Sequence, residues 1–269
     1  MRQRLRRGKV DQKICKQAAM FDLSRDVIII TGASSGLGWH FAKTLVNAGA
    51  RVALVARRHE RLEELLAELP GGRAMAIAAN IAERSTIVDI VASVTREIGA
   101  PTILINNAGV ADHQPALELT EADWHHVLDT NLTGAWELAQ LCAKSWVAED
   151  QPGNIINISS ILGQRVAGRS LPYAVSKAAL IQMTKALALE WARHRIRVNA
   201  LAPGYIETDL NRDFFATEAG DALIKRIPQR RLGKPGDLDG ALLLLCSEAS
   251  SYMTGTVITV DGGHLNSSL

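Results

Sequence analysis

Residues 27–38 read VIIITGASSGLG, a short apolar run followed by three glycines at the spacing G-x3-G-x-G. The run has the length of a strand and the residues after Gly36 continue as a helix, so the stretch predicts a strand, a tight turn and a helix start. Gly32, Gly36 and Gly38 would leave the backbone N–H groups at the helix N-terminus open to an anion, which the helix dipole also favours. The stretch therefore predicts the first βα turn of a dinucleotide-binding fold.

Further apolar runs recur along the chain at helix-length intervals, and this alternation indicates the fold class. Strands that alternate with helices are joined by right-handed crossovers into a parallel sheet that helices cover on both faces. We predict an α/β fold, a doubly wound, Rossmann-like parallel sheet of about seven strands. The strands are expected at 27–30, 52–56, 74–79, 103–105, 155–158, 196–201 and 257–260, and the helices at 36–48, 59–69, 83–98, 121–147, 172–194 and 237–248.

Residues 21–269 are predicted to form a single domain, preceded by a basic, disordered extension over residues 1–20. The first nineteen residues carry seven Lys or Arg and one acid, a net charge of +6. Because the whole chain has a net charge of +2, the remaining residues carry −4. An Arg-rich, acid-poor arm also fits a targeting peptide or a nucleic-acid contact, but we expect no nucleic-acid partner. The segment at about 203–237 is longer than an ordinary connection and is predicted to be a substrate loop, with a helical hairpin as the alternative.

Composition and residue spacing exclude several classes of protein. No apolar run approaches the ~18 residues that a membrane helix needs, so no membrane partner is expected. Cys15, Cys142 and Cys246 are odd in number and lack metal-ligand spacing, which fits a reducing compartment. We therefore expect a cytoplasmic protein and, since no HExxH or comparable cluster occurs, no metal.

The end of the second predicted strand bears on the choice of dinucleotide. Ala56 is followed by Arg57 and Arg58, where an NAD site usually has an acid for the ribose 2′-OH. An arginine can hold a 2′-phosphate by a charge-assisted hydrogen bond of about 1.5–3 kcal/mol, a preference of roughly ten- to hundredfold. NADP(H) is thus the predicted cofactor and NAD(H) the second option; in the alternative interpretation both arginines are solvated.

Six motifs together resemble a known family. They are TGASSGLG at 31–38, NNAG at 106–109, Asn131 within NLTG, Ser160, YAVSK at 173–177 and APG at 202–204. In this order, between residues 25 and 263, they are similar to the motifs of the short-chain dehydrogenase/reductase family in its compact single-domain branch. The resemblance implies hydride transfer between a nicotinamide dinucleotide and a carbonyl or alcohol, without a metal.

Tyr173 and Lys177 are four residues apart on a predicted helix and therefore share a face. A free tyrosine has a pKa of about 10, and a lysine ammonium within ~4–6 Å, together with the positive nicotinamide, would lower that pKa toward neutrality. The resemblance makes Tyr173 the acid/base and Ser160 the partner of the substrate oxygen, with Ser159 as second choice. It implies that Lys177 also holds the nicotinamide ribose, and that Asn131 lies mid-helix and holds a water that links Lys177 to solvent.

Further residues are expected to contact the two ligands. Thr208 would contact the nicotinamide carboxamide, and Asn80 stands where the family often has an acid for the adenine amino group. Besides Ser160, the substrate residues would be Leu162, Gln164, Arg165, Tyr205 and Phe214, where Arg165 either pairs with a substrate anion or caps its loop. The cofactor is expected against Gly32, Ser34, Ser35, Gly36, Leu37, Gly38, Arg57, Arg58, Asn80, Ile81, Asn107, Ala108, Gly109, Tyr173, Lys177, Pro203, Gly204, Ile206 and Thr208.

We therefore predict an NADP(H)-dependent oxidoreductase that interconverts a small ketone or aldehyde and a secondary alcohol. A 3-oxoacyl thioester reductase and an NAD-dependent sugar or polyol dehydrogenase share every motif, and a silent dinucleotide-binding redox sensor is the non-enzyme alternative. The helix after Tyr173 is apolar nearly all round, so one face needs a partner. The resemblance implies that such helices pair in a homotetramer.

Overall fold

The computed structural model describes residues 21–208 and 211–267, and the basic extension predicted at 1–20 lies outside them. All seven predicted strands are present in one parallel sheet of order β3-β2-β1-β4-β5-β6-β7. Ligands bind such sheets at the carboxyl ends of the strands, at the point where the order reverses, which here lies between β1 and β4. The strands are β1 Val27–Thr31, β2 Arg51–Ala56, β3 Ala74–Ala78, β4 Ile103–Asn106, β5 Gly153–Ile158, β6 Ile196–Pro203 and β7 Val257–Val260.

The helices follow the predicted alternation with one difference, in the stretch expected as a single helix over 121–147. There a π-helical turn, Asp129–Thr133, separates two α-helices. A Cβ at Gly134, just after the turn, would overlap the Ile81 carbonyl oxygen, so the chain packs directly on a neighbouring loop at this point. The helices are α1 Gly36–Asn47, α2 His59–Glu68, α3 Arg84–Ile98, α4 Glu121–Leu128, α5 Gly134–Ala148, α6 Leu171–Trp191, α7 Arg212–Phe215, α8 Glu218–Ile224 and α9 Asp239–Cys246.

The five central strands of the sheet are buried on both faces, which explains why they read as unbroken apolar runs. Along β1, Ile28 and Ile30 join the apolar layer on one face, whereas Val27 and Ile29 join the layer on the other. Cys142 and Cys246 are free thiols within these layers. In the part of the chain that the structure describes, no helix is both long and apolar enough to cross a membrane.

The long segment after β6 carries two short helices, α7 and α8, and the structure pins its two ends together. The backbone N–H of Gly233 donates to the Tyr205 carbonyl at 2.9 Å, and that of Glu207 donates to the Gly233 carbonyl at 2.8 Å. Because the segment starts at the carboxyl end of β6, this closure holds it over the same edge of the sheet as the glycine loop.

Candidate active site

One cavity of about 1010 Å³ runs along the carboxyl ends of the strands and gathers most of the predicted site. Every residue predicted to contact the cofactor lines it, as do Ser160, Leu162, Tyr205 and Phe214 from the predicted catalytic and substrate sets. A cavity of this size exceeds what a small ketone fills, and it has room for a dinucleotide and a second ligand.

The glycine loop packs so closely on the end of β4 that side chains would be excluded. Gly32 has a φ of +69°, and a Cβ there would lie 2.7 Å from the Ala108 Cα. A Cβ at Gly38 would lie 2.6 Å from the side-chain Nδ2 of Asn107. Thr31 Oγ1 accepts from the backbone N–H of Asn107 at 3.1 Å and of Ala108 at 3.0 Å. These contacts hold the α1 N-terminus open toward the cavity, where it can bind an anion.

Two arginines bring positive charge to the cavity at the end of β2. Arg58 Nη2 donates to the hydroxyls of Ser34 and Ser35, each at 3.0 Å, and so lies across the glycine loop. Arg57 lines the same cavity and is exposed. The guanidinium of Arg58 is thereby tied to the loop that would carry the cofactor phosphates, and its remaining N–H groups can bind a further phosphate.

Ser160 lies two residues beyond the end of β5, while Tyr173 and Lys177 lie on the first turns of α6. The Lys177 Nζ lies 5.7 Å from the centroid of the Tyr173 ring and donates to the Ile158 carbonyl at 2.8 Å. Ser160 Oγ accepts from the Leu162 N–H at 3.1 Å and hydrogen-bonds the Tyr173 hydroxyl. The polar side chains of Ser160, Tyr173 and Lys177 therefore lie close together in the cavity.

Burial dominates the titration of this group. It raises the pKa of Tyr173, against the hydrogen bond from Ser160, and the neighbouring Tyr205 raises it further. Burial also lowers the pKa of Lys177 to about 8. The lowered tyrosine pKa expected from the sequence is therefore not produced by these side chains, because the desolvation of the phenol outweighs the hydrogen bond that favours phenolate.

Asn131 lies in the π-helical turn, 1% exposed, and its side chain braces the site. The Oδ1 accepts from the Val110 N–H at 2.8 Å, while the Nδ2 donates to the Val110 carbonyl at 2.9 Å and to Ser176 Oγ at 3.0 Å. A Cβ at Gly109 would lie 3.4 Å from both Asn131 Oδ1 and Lys177 Nζ, so the two polar groups flank the same glycine. Asn131 thus ties the loop after β4 to α6.

Two residues predicted to contact substrate lie elsewhere, and this corrects the prediction. Arg165 donates to Ser267 Oγ at 2.9 Å and to the His264 carbonyl at 2.5 Å, which holds it against the C-terminal segment. Gln164 is directed toward Thr259 on β7, 3.5 Å away. Neither residue is among those that line the cavity. Of the two roles considered for Arg165, these contacts favour the structural one, in which it caps its loop, over pairing with a substrate anion.

Further polar residues join the site, of which only Ser159 was predicted, as the second choice for the substrate oxygen. Ser176, within the YAVSK motif, accepts from Asn131, and Ser159 Oγ donates to the Lys177 carbonyl at 3.0 Å and so joins β5 to α6. His113 and Arg169 line the cavity on the side of α6. The nearness of Ser176 to Lys177 in the motif was a usable signal, whereas no local pattern distinguished His113 or Arg169. Within residues 21–208 and 211–267, no cluster of three His, Cys, Asp or Glu could hold a metal ion.

Comparison with known proteins agrees with this arrangement. A family model described as enoyl-(acyl carrier protein) reductase matches residues 32–264. Gluconate 5-dehydrogenase of Gluconobacter oxydans is 35% identical over 91% of this chain and 96% of its own. The 3-oxoacyl-(acyl-carrier-protein) reductase of Thermotoga maritima is 36% identical over 90% of this chain and 98% of its own. The crystal structure of gluconate 5-dehydrogenase from Burkholderia cenocepacia in complex with NADP and tartrate matches with a TM-score of 0.88 and 33% identity, covering 94% of this chain and 100% of that one.

A dinucleotide cleft on a doubly wound sheet, with a tyrosine and a lysine on the adjoining helix, defines an oxidoreductase of the dehydrogenase/reductase type. The chain belongs to the short-chain dehydrogenase/reductase family. The family, the fold class and the enzyme class predicted from the sequence are thereby confirmed.

Proposed function

We propose that this protein interconverts a ketone and a secondary alcohol, or an aldehyde and a primary alcohol, with NADP(H), and that Tyr173 is its acid/base. The observation that carries the proposal is the convergence of Tyr173, Ser160 and Lys177 in the cavity that also contains the glycine loop. The nicotinamide cofactor supplies or accepts the hydride when bound. The remaining steps, which are binding, orientation and proton transfer, belong to the side chains of this chain.

Ser160 is suited to hold the reacting oxygen of the substrate. Its Oγ already accepts from the Leu162 N–H, and its O–H, which bonds Tyr173 in the ligand-free site, can donate to a substrate oxygen instead. A carbonyl oxygen held between Ser160 and Tyr173 would then receive its proton from the phenol as the alcohol forms, and Tyr173 would take that proton back in the oxidative direction.

The charge state of Tyr173 bears on the preferred direction. Burial raises the pKa of its phenol, so the group stays protonated near neutrality and is ready to donate. A protonated phenol is the state that reduction of a carbonyl requires of Tyr173. In oxidation, the Lys177 ammonium and the positive nicotinamide are the two charges that would stabilise the phenolate.

Arg58 supports NADP(H) as the preferred cofactor, with NAD(H) as the weaker one. Its guanidinium lies across Ser34 and Ser35, beside the place where the adenosine ribose of a dinucleotide follows the β2 end. The Burkholderia cenocepacia relative is described with NADP. The predicted set of cofactor residues, with Asn80 and Ile81 near the adenine, belongs to this proposal.

We further propose that residues 21–269 form one domain, that the protein assembles as a homotetramer and that it is cytoplasmic. Trp136 and Val147 on α5 and Val88 on α3 are exposed apolar side chains on neighbouring helices, which a partner copy would cover. The free, buried thiols of Cys142 and Cys246 are compatible with a reducing compartment.

The variant Tyr173→Phe tests the proposed mechanism. The enzyme should lose nearly all turnover with a panel of ketones and NADPH, because the ring lacks the proton that the carbonyl oxygen needs. The calorimetric Kd for NADPH should rise by no more than about fivefold, since the phenol contributes at most one hydrogen bond of about 1 kcal/mol to cofactor binding. Unchanged turnover in this variant would remove Tyr173 from the mechanism.

A further inference from the structure

The side chains around the cavity carry positive charge at both ends and no acid among the described residues that line it. Arg57 and Arg58 stand at one end, where β2 ends. Arg169 and His113 stand on the side of α6. With Lys177 between the two ends, the cationic side chains Arg57, Arg58, Lys177 and Arg169 face no carboxylate in the described lining, which favours an anion.

The two cationic ends are too far apart to serve one phosphate. Arg58 follows β2, whereas Arg169 lies between β5 and α6. The sheet order β2-β1-β4-β5 places three strand spacings, about 14 Å, between the ends of β2 and β5 that these two segments follow. A dinucleotide whose 2′-phosphate meets Arg58 therefore leaves Arg169 without a cofactor phosphate.

Arg169 is an exposed residue at its end of the cavity, with one side-chain hydrogen bond to the protein. Its backbone is left-handed, with a φ of +61°, and its Nε donates to the His113 carbonyl at 3.3 Å. Within the described part of the chain the guanidinium has no acidic partner. The terminal nitrogens of an arginine anchored through Nε form a fork that fits a carboxylate or a phosphate.

The start of α6 adds to the attraction for an anion at the same place. Ser170 is the N-cap residue, but its side chain does not bond the first-turn amides and instead donates to the Gly168 carbonyl at 3.4 Å. The first turn of this 21-residue helix is therefore left without a side-chain cap, and its dipole favours negative charge.

We propose that Arg169 binds an anionic oxygen group, a carboxylate or a phosphate, at the end of the substrate opposite the reacting carbonyl. The proposal rests on the proposed role of Tyr173, which lies four residues further along the chain and lines the same cavity. The substrate class is then an anionic ketone or hydroxy compound, and Arg169 is the residue that distinguishes it from its neutral counterpart.

The test is calorimetric binding to the enzyme saturated with NADPH. The probes are tartrate and glycerol 3-phosphate, each paired with its neutral counterpart, threitol and glycerol. The variants are Arg169→Gln, Arg169→Lys and, as a matched control, Arg230→Gln. Arg230 is also an arginine with a left-handed backbone, at a φ of +54°, but it does not line the cavity.

We expect one of the two anions to bind more tightly than its neutral counterpart. Tighter binding of tartrate would indicate a carboxylate site, and tighter binding of glycerol 3-phosphate would indicate a phosphate site. Arg169→Gln should weaken that anion by about tenfold, equivalent to about 1.4 kcal/mol. Arg169→Lys should fall between Arg169→Gln and wild type, and Arg230→Gln should match wild type. An unchanged Kd for NADPH in Arg169→Gln verifies that the variant is folded.

Equal anion affinity in wild type and Arg169→Gln would overturn the proposal, as would equal binding of anions and neutral counterparts to the wild type. Because the readout is binding, it is independent of the Tyr173→Phe experiment. Turnover that survives in Tyr173→Phe beside weakened anion binding in Arg169→Gln would refute the proposed mechanism alone, and the reverse pattern would refute the anion site alone.

Discussion

Replacing Asn131 by alanine should destabilise the protein markedly, although the residue lies in an irregular turn. The substitution removes three hydrogen bonds, two to the Val110 backbone and one to Ser176 Oγ, all by a side chain that is 1% exposed. At about 1 kcal/mol of net stability each, the loss is about 3 kcal/mol. For a chain of this size that corresponds to a fall in Tm of about 6–12 °C.

The assay is thermal unfolding of the cofactor-free protein, followed by circular dichroism at one protein concentration. Asn47→Ala is the matched control, because Asn47 is an exposed residue in the last turn of α1 and the same substitution there should cost less than about 0.5 kcal/mol. Ser176→Ala removes one of the three bonds and should give a smaller fall. A Tm for Asn131→Ala equal to that of the Asn47 control would refute the bracing role.

Three further expectations concern the cofactor, pH and assembly. Arg58→Gln should raise the Kd for NADPH about tenfold and leave that for NADH unchanged; an equal rise for both would contradict a 2′-phosphate contact. The pKa of Lys177 is lowered to about 8 in the fold but is about 10.4 when unfolded, so keeping Lys177 charged costs the native state about 3 kcal/mol below pH 8. That cost disappears as pH rises toward 10, because Lys177 is then neutral in the native state. The cofactor-free Lys177→Met variant should therefore have a higher Tm than the wild type at pH 7. The difference between the two Tm values should be smaller at pH 9.5. A constant margin would contradict the lowered pKa. Light scattering at micromolar concentration should give the mass of four chains, and a monomer would exclude the proposed tetramer.

Local sequence patterns were sufficient to predict most of the fold. Each strand begins within two residues of its predicted start because an unbroken apolar run bounded by polar residues has few alternatives in an α/β chain. The glycine spacing and the four-residue spacing of Tyr173 and Lys177 are local in the same way, and these residues meet in one cavity.

The predictions that differ from the structure depend on contacts between distant parts of the chain. Its position after Ser160 predicted that Arg165 either contacts the substrate or caps its loop. The Arg165 side chain instead bonds His264 and Ser267, about a hundred residues away. The π-helical turn at Asn131 leaves no local signature, and the burial that raises the pKa of Tyr173 in the cofactor-free protein depends on packing alone.

By itself, the sequence determined the alternation of strands and helices, the glycine loop and the shared helix face of Tyr173 and Lys177, since backbone sterics and side-chain periodicity act over a few residues. Only the tertiary structure decided which polar groups face the cavity and how strongly burial perturbs them. It brought the β2 end, the loop after β4 and the start of α6 to one edge of the sheet, and it placed positive charge at both ends of the cavity between them. Desolvation and charge placement depend on the whole packed molecule, and no local run of residues encodes them.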